Sequence, residues 1–322
     1  MRILSVSRPE EFVWDLRRPV LALGTMDGVH LGHQAVLART RELAAELDGT
    51  PAVLTFARHP LEVVCASEAP AAITPLSLKL QLLARFGMAA AVAIDFSPVM
   101  AALEAEAFVS DLLLERLGVA GLAVGRDFGF GRGRRGTVAL LASLAGSAGA
   151  RLAVVPPVKL GEQTVSSRHI RALLQAGEAA EAHRFLGRPF CVQGEVQPGA
   201  GRGSTLGAAT ANLELSGRPL LRDGVYAGRV FLQGDFRDAL MNLGVAPTFG
   251  EGVRRLEIHI AEWEGALYGS RLTVFVLERL RDERRFPHAA ALTRQFALDR
   301  AAAESVWKDA GRLPWREWTL QG

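Results

Sequence analysis

The chain has 322 residues, more than the roughly 150 expected of one domain, so two cores are expected. Hydrophobic residues make up 49% and charged residues 22%, with a formal net charge of only +3, which excludes a disordered chain and gives no case for wholesale nucleic-acid binding. No apolar run approaches the ~18 residues that span a bilayer, Cys65 and Cys191 stand far apart, and MRILSVSRPEEF lacks the apolar core of a secretion signal. A cytoplasmic protein with reduced thiols and no membrane partner is expected.

In chain order, short apolar runs at 20–24, 52–56, 90–94, 122–125 and 152–155 alternate with helical patterns such as 34–47 and 105–117. Strands alternating with helices predict a parallel sheet whose ligand sits beyond the carboxyl ends of the strands. The pattern changes near Leu186-Gly187-Arg188-Pro189. Shorter, turn-punctuated runs follow at 190–196, 224–232, 237–243, 254–260 and 272–280, which predict an antiparallel sheet or small barrel. An amphipathic helix over about 289–310 closes the chain. The expected division is 1–185 and 186–322, each with its own core.

GTMDGVHLGH, residues 24–33, stands at the end of the first predicted strand. Its glycines let the backbone approach a ligand, and a helix starting near Leu31 aims free N–H groups and its positive end at the same place. His30 and His33, three apart, share one face of the first turn. A zinc site needs more ligands than these two and Asp27. The remaining readings are a phosphate contact and a pair of helix-cap histidines without chemistry, and the surrounding Gly24, Asp27, Gly28 and Gly32 favour the phosphate. VGRDFGFGRGRRG, 124–136, ends another predicted strand and reads as a ligand-covering loop or a solvated basic one.

The segment at 24–33 resembles the H-x-G-H of nucleotidylyltransferases. More narrowly, it is similar to the G-x-F-D-G-V-H-x-G-H of prokaryotic bifunctional riboflavin kinase/FAD synthetases. The resemblance continues in order through TFARHP (55–60), VGRDFGFGRGRRG, VSSRHIR (165–171), LGRPF (186–190), GRGSTLGAATANL (201–213), GVYA (224–227), MNLGVAPTFG (241–250), LEIHI (256–260), LYG (267–269) and LRDERRF (280–286). It implies an α/β nucleotidylyltransferase-like amino-terminal domain with a Rossmann-like parallel sheet. A small antiparallel β-barrel riboflavin kinase domain with a carboxyl-terminal helix would follow.

The implied amino-terminal chemistry is adenylylation of FMN to FAD. His30, His33 and Arg171 would stabilise charge on the α-phosphate. Gly24, Thr25, Met26, Asp27, Ser166, Ser167 and Arg168 would hold nucleotide, although the two serines also suit plain helix capping. Phe56, His59, Asp127 and Phe128 would meet flavin. The implied carboxyl-terminal chemistry is phosphorylation of riboflavin. Gly201, Gly203 and Gly207 would cradle ATP phosphates, Thr210 and Asn212 would supply oxygens to Mg²⁺, and Arg281 would touch flavin. Strand alternation puts Glu257 and His259 on one face and Leu256, Ile258 and Ile260 on the other, and the family motif makes Glu257 the base.

ATP, riboflavin, FMN and FAD are the implied partners, with no nucleic acid, in a monomer or weak homo-oligomer. The chain departs from the family pattern at Met26, Arg58, Arg168 and Ala208-Ala209. Those departures keep open one inactive domain or a flavin-analogue substrate, and the basic loop keeps open a nucleic-acid-binding or regulatory protein with a bound flavin as sensor.

Overall fold

The computed structural model describes residues 1–197, 210–215, 220–245, 254–263, 265 and 267–313, with Thr210, Val245 and Ala289 described by main chain only. The chain divides into two compact units, Met1–Ser167 and Arg168–Gly322.

The first unit runs β1 (Arg2–Val6), β2 (Pro19–Leu23), α1 (Leu31–Glu46), β3 (Thr50–Phe56), α2 (Leu61–Val64), α3 (Leu76–Arg85) and β4 (Ala90–Ile94). After α4 (Pro98–Ala101), α5 (Ala105–Ala107) leads into a π-helix, Phe108–Arg116, then come β5 (Gly121–Gly125), α6 (Val138–Ser147), β6 (Arg151–Val155) and the hairpin β7 (Lys159–Leu160) and β8 (Gln163–Thr164). Six parallel strands pair in the order β1-β4-β3-β2-β5-β6. β2 and β4 are buried at every residue, as expected of strands covered on both faces, and this explains their unbroken apolar runs. From β2 the chain winds outward through β3 and β4, then returns to β2's other side for β5 and β6. The change of direction therefore falls between β2 and β5, where their carboxyl ends leave a crevice.

The second unit runs α7 (Ser167–Ala176, of which Ser167 belongs to the first), α8 (Ala179–Leu186), β9 (Phe190–Gln197), β10 (Thr210–Leu215), β11 (Gly224–Leu232), β12 (Asp235–Val245), β13 (Arg254–Ile260), β14 (Arg271–Arg281) and α9 (Ala289–Ala310). The six strands close into an antiparallel barrel ordered β10-β13-β12-β11-β14-β9. Closure leaves no free strand edge. Along β13, Leu256, Ile258 and Ile260 are buried while Glu257 is exposed and His259 intermediate, so the period-two pattern is realised. α9 packs across β11, β12 and β14. It is fixed by the Trp307 Nε1–H bond to the Gly228 carbonyl (3.1 Å) and by a paired Arg281–Asp299 contact (2.8 and 2.7 Å).

The apolar runs locate every main strand of the first unit except β1, which is too exposed along its length to read as a buried run. α3 and β10 also fall outside the runs. Thr210–Asn212, open to reading as a turn, lies on β10.

α8 turns Ala179, Ala182, Phe185 and Leu186 inward and packs against β14 and β9. It ends at Gly187 in the left-handed region (φ 67°), and the following Arg188 is buried with its Nη1 on the Pro189 carbonyl (3.0 Å). A fragment beginning at residue 186 therefore removes an apolar face from the barrel. Each large side chain lost is worth about 1.5–3 kcal/mol. The fragment 168–322 is expected to unfold at a clearly higher denaturant midpoint than 186–322. Equal midpoints in a chemical denaturation comparison would show that α8 adds nothing to the barrel.

Candidate active sites

The loop after β2 is held in a conformation that its residues do not favour. Met26 (φ 51°) and Val29 (φ 43°) both occupy the left-handed region, alongside Gly28 (φ 90°). For non-glycine residues this costs of the order of 1–3 kcal/mol each, most clearly for a β-branched valine. Both side chains are buried, Met26 at 1% exposure and Val29 at 0%. Gly24 leaves room for Met26, whose Cε would lie 3.2 Å from a Cβ at that position.

Hydrogen bonds from four directions fix the loop. The Gly24 amide donates to the Leu54 carbonyl (3.2 Å), and Thr55 Oγ1 donates to the Thr25 carbonyl (2.8 Å). Lys79 on α3 donates to the same Thr25 carbonyl (3.2 Å) and to the Phe56 carbonyl (2.6 Å). The Asp27 carboxylate accepts from the Ile73 amide (2.9 and 3.1 Å) and the Thr74 amide (3.0 Å), and Ser167 Oγ donates to the Asp27 carbonyl (2.8 Å). Asp27 thus turns into the protein and organises the chain before α3. Lys79 is buried and its ammonium is pushed down to about 8 by burial, with Asp27 opposing. Its importance was not legible from SLKLQLL, where it reads as a solvated helix residue.

His30 is the N-cap of α1: its Nδ1 accepts from the His33 amide at 3.3 Å. A neutral His30 ring therefore carries its proton on Nε2. His33 stacks on it, ring centroids 3.7 Å apart and planes 14° from parallel. Burial, followed by the neighbouring His30 and then Lys79, holds His33 well below the ordinary imidazole value of 6.5. His33 Nδ1 is buried without a hydrogen-bond partner among the described residues. The two expectations for this pair, helix capping and ligand contact, are compatible: one histidine caps, and the two rings stack at a helix start.

Other predicted residues of the first unit follow the carboxyl ends of its strands. Phe56 ends β3 and meets Phe96 edge-on at 5.5 Å, while His59 Nδ1 accepts from the amide of Leu61 (3.2 Å), the first residue of α2. After β5, Asp127 is exposed and Phe128 stacks on Phe130 at 5.6 Å. Phe130 is buried against Phe108, and Arg132 pairs with Glu104 (3.1 Å), so the glycine- and arginine-rich loop is anchored to the core. Arg58, at a departure position, pairs with Asp95 at 3.0 Å. In VSSRHIR, Ser166 of the first unit is partly buried, while Arg168 (exposed) and Arg171 (partly buried) lie on α7 in the second unit.

On the barrel, Asn212 stands opposite Glu257 across β10 and β13, and Asn242 stands opposite Glu257 across β12 and β13. Directly opposed residues share a face. Asn212, Glu257 and Asn242 thus form one polar row, while Ala211, Leu213, Met241, Leu243, Leu256 and Ile258 between them are buried. Asn242 is a member of this row that strand pairing alone reveals. Arg281, at the end of β14, is bound to Asp299, which also accepts from Gln295 Nε2 (2.9 Å). Gly201, Gly203, Gly207 and Ala208-Ala209 lie outside the described residues. Among the described residues, no group of three or more His, Cys, Asp or Glu side chains forms a metal site, and no helix is long and apolar enough to cross a membrane.

These units define a two-part class: a nucleotidylyltransferase-like α/β unit followed by a small antiparallel barrel with a carboxyl-terminal helix. The FAD synthetase family model matches residues 13–169, and the riboflavin kinase family model matches residues 186–307. Bifunctional riboflavin kinase/FMN adenylyltransferases are similar over nearly their whole length. The Pseudomonas fluorescens protein is 36% identical, covering 93% of this chain and 94% of its own. The Escherichia coli K12 protein is 35% identical (89% and 92%), and that of Bacillus subtilis 32% (94% and 97%). A solved Streptococcus pneumoniae structure, described as a macrolide-efflux protein, superposes with a TM-score of 0.84 at 27% identity, covering 94% of this chain and 99% of that one. The chain belongs to the bifunctional riboflavin kinase/FMN adenylyltransferase family.

Two outcomes follow from the geometry of the first site. A Cβ at Gly32 would lie 3.1 Å from His30 Cε1 and 3.2 Å from Nδ1. G32A is therefore expected to displace the His30 cap and cost about 1–3 kcal/mol in thermal unfolding. An unchanged melting temperature would contradict the packing. His33 has a folded-state value below its unfolded 6.5, so the unfolded chain binds the extra proton in acid. Its contribution to stability is complete above pH 6.5 and is lost as the pH falls below that value. Denaturation between pH 7.5 and 5 should show a shallower acid decline in H33Q than in the parent chain.

Proposed function

We propose that this chain makes FMN from riboflavin on its barrel and FAD from FMN on its α/β unit, consuming one ATP in each step. In the first step the 5′-hydroxyl oxygen of riboflavin bonds to the γ-phosphorus of ATP. The bond from that phosphorus to the β,γ-bridging oxygen breaks and ADP leaves. Glu257, exposed on the polar row, takes the hydroxyl proton. Asn212 and Thr210 offer the neutral, hard oxygen donors that suit Mg²⁺ arriving with ATP, an ion that keeps waters and substrate phosphates for most of its shell. The Gly201–Gly207 segment is assigned to the ATP phosphates and Arg281 to the flavin side, with Asp299 fixing the guanidinium.

In the second step a phosphate oxygen of FMN bonds to the α-phosphorus of a second ATP, and pyrophosphate leaves. No covalent enzyme intermediate is required. His30 and His33 donate to the phosphate oxygens as their charge grows, and neutral imidazoles are suited to this because they donate without carrying a buried charge. Arg171 adds a permanent charge, with Arg168, Ser166, Ser167 and the Gly24–Asp27 main chain on the nucleotide. Phe56, His59, Asp127 and Phe128 are assigned to the flavin. The observation that carries this reading is the stacked His30–His33 pair at the start of α1, beside the crevice between β2 and β5, with one buried ring nitrogen left over for a ligand.

We assign the adenylyltransferase chemistry to 1–185 and the kinase chemistry to 186–322. The protein would act in the cytoplasm as a monomer or weak homo-oligomer, with no nucleic-acid partner. Purified protein given riboflavin and Mg-ATP should yield FMN and then FAD by chromatography. H30A and H33A should each lower FAD formation by about 10²–10³-fold, the order for one lost charge-stabilising donor, and leave FMN formation near the parent rate. E257Q should do the reverse when FMN is supplied directly. Equal loss of both products in the histidine variants would contradict separate sites.

A further inference from the structure

We propose that Lys79 is a positioning residue for adenylyl transfer: its buried ammonium ties the loop after β2, which leads into His30 and His33, to the end of β3. The inference rests on the reading of that pair as the phosphate contact.

Lys79 is 5% exposed and sits within an α3 whose other buried residues are leucines. Burying an ammonium is expensive unless it is paired or fully hydrogen-bonded. Here the partners are two carbonyls, Thr25 at 3.2 Å and Phe56 at 2.6 Å. They belong to neighbouring strand ends, so one side chain bridges the nucleotide loop and the flavin-side end of β3. A neutral donor such as Thr55 already serves the Thr25 carbonyl. What the charge adds to the tie between the two carbonyls is attraction for negative charge that develops at a phosphate site, which a low-dielectric surrounding strengthens. Asp27 from the loop after β2 opposes the effect of burial on Lys79, and the Lys79 charge acts in turn on His33 of α1, which stacks on His30. Lys79 also contributes to the lowering of His33, after burial and the neighbouring His30.

The test uses the full-length chain with Lys79→Met and Lys79→Arg. Lys79→Met is expected to lower kcat for FAD formation at least tenfold, to change KM for ATP and FMN less than threefold, and to leave riboflavin phosphorylation at the parent rate. The His33 ring, followed by imidazole nitrogen NMR, should titrate at a higher pH in Lys79→Met than in the parent, since a neighbouring positive charge has gone. Lys79→Arg should keep His33 titrating low. An unchanged kcat overturns the proposal, as does a reduced kcat with an unmoved His33 titration, which would mark Lys79 as structural only. Should Lys79→Met fail to fold, Lys79→Arg decides: a His33 that returns to its ordinary value despite the retained charge overturns it. A parent chain that makes no FAD would sink the assigned reaction, while the His33 titration would still test the place of Lys79.

Discussion

The Thr25 carbonyl is the point on which the loop after β2, and the chemistry proposed for it, depends. It accepts from Thr55 on β3 and from Lys79 on α3. With Asp27 gripping the Ile73 and Thr74 amides, it holds a loop whose Met26 and Val29 are in unfavourable conformations. Released from these bonds, the loop would relax, and His30 would no longer be set as the cap of α1. The cap matters because it fixes a tautomer. By accepting the His33 amide on Nδ1, His30 is left with its donor on Nε2, and His33 is stacked against it. Backbone strain, helix capping and donor orientation are thus one mechanism, with its cost offset by buried hydrogen bonds.

The second unit solves a different problem. The chemistry proposed for it stands on a strand face, and the barrel provides rigidity by closing the sheet. Asn212, Glu257 and Asn242 are aligned by register across three adjacent strands, so no loop is needed to bring them together. α9 then covers part of the barrel through Trp307 and the Arg281–Asp299 pair, a charge pair whose carboxylate is almost wholly buried. Removing one partner of such a pair leaves an uncompensated charge.

The sequence was most legible where chemistry and periodicity coincide. His30, His33 and the glycines around them could be read as a loop at a strand end, because the apolar run before them marks a buried parallel strand. Glu257 could be placed on the polar face of β13 by simple alternation. Lys79 was not legible, because a lysine in a helix is nearly always solvated, and only burial and the two carbonyls reveal its place. Asn242 was hidden for a related reason: its meaning comes from the strand across from it, and pairing between distant segments leaves no local mark. The inward turn of the Asp27 carboxylate was equally hidden, since its amide partners lie more than forty residues away.

The central claim is that the first unit presents oriented, neutral imidazoles to a phosphate. Imidazole nitrogen NMR of the full-length chain at neutral pH tests it most directly. The account predicts that His30 is the Nε2–H tautomer, that His33 is neutral, and that ring nitrogens of both move on saturation with Mg-ATP. A His30 protonated on Nδ1, or resonances that stay still at saturating Mg-ATP, would contradict it.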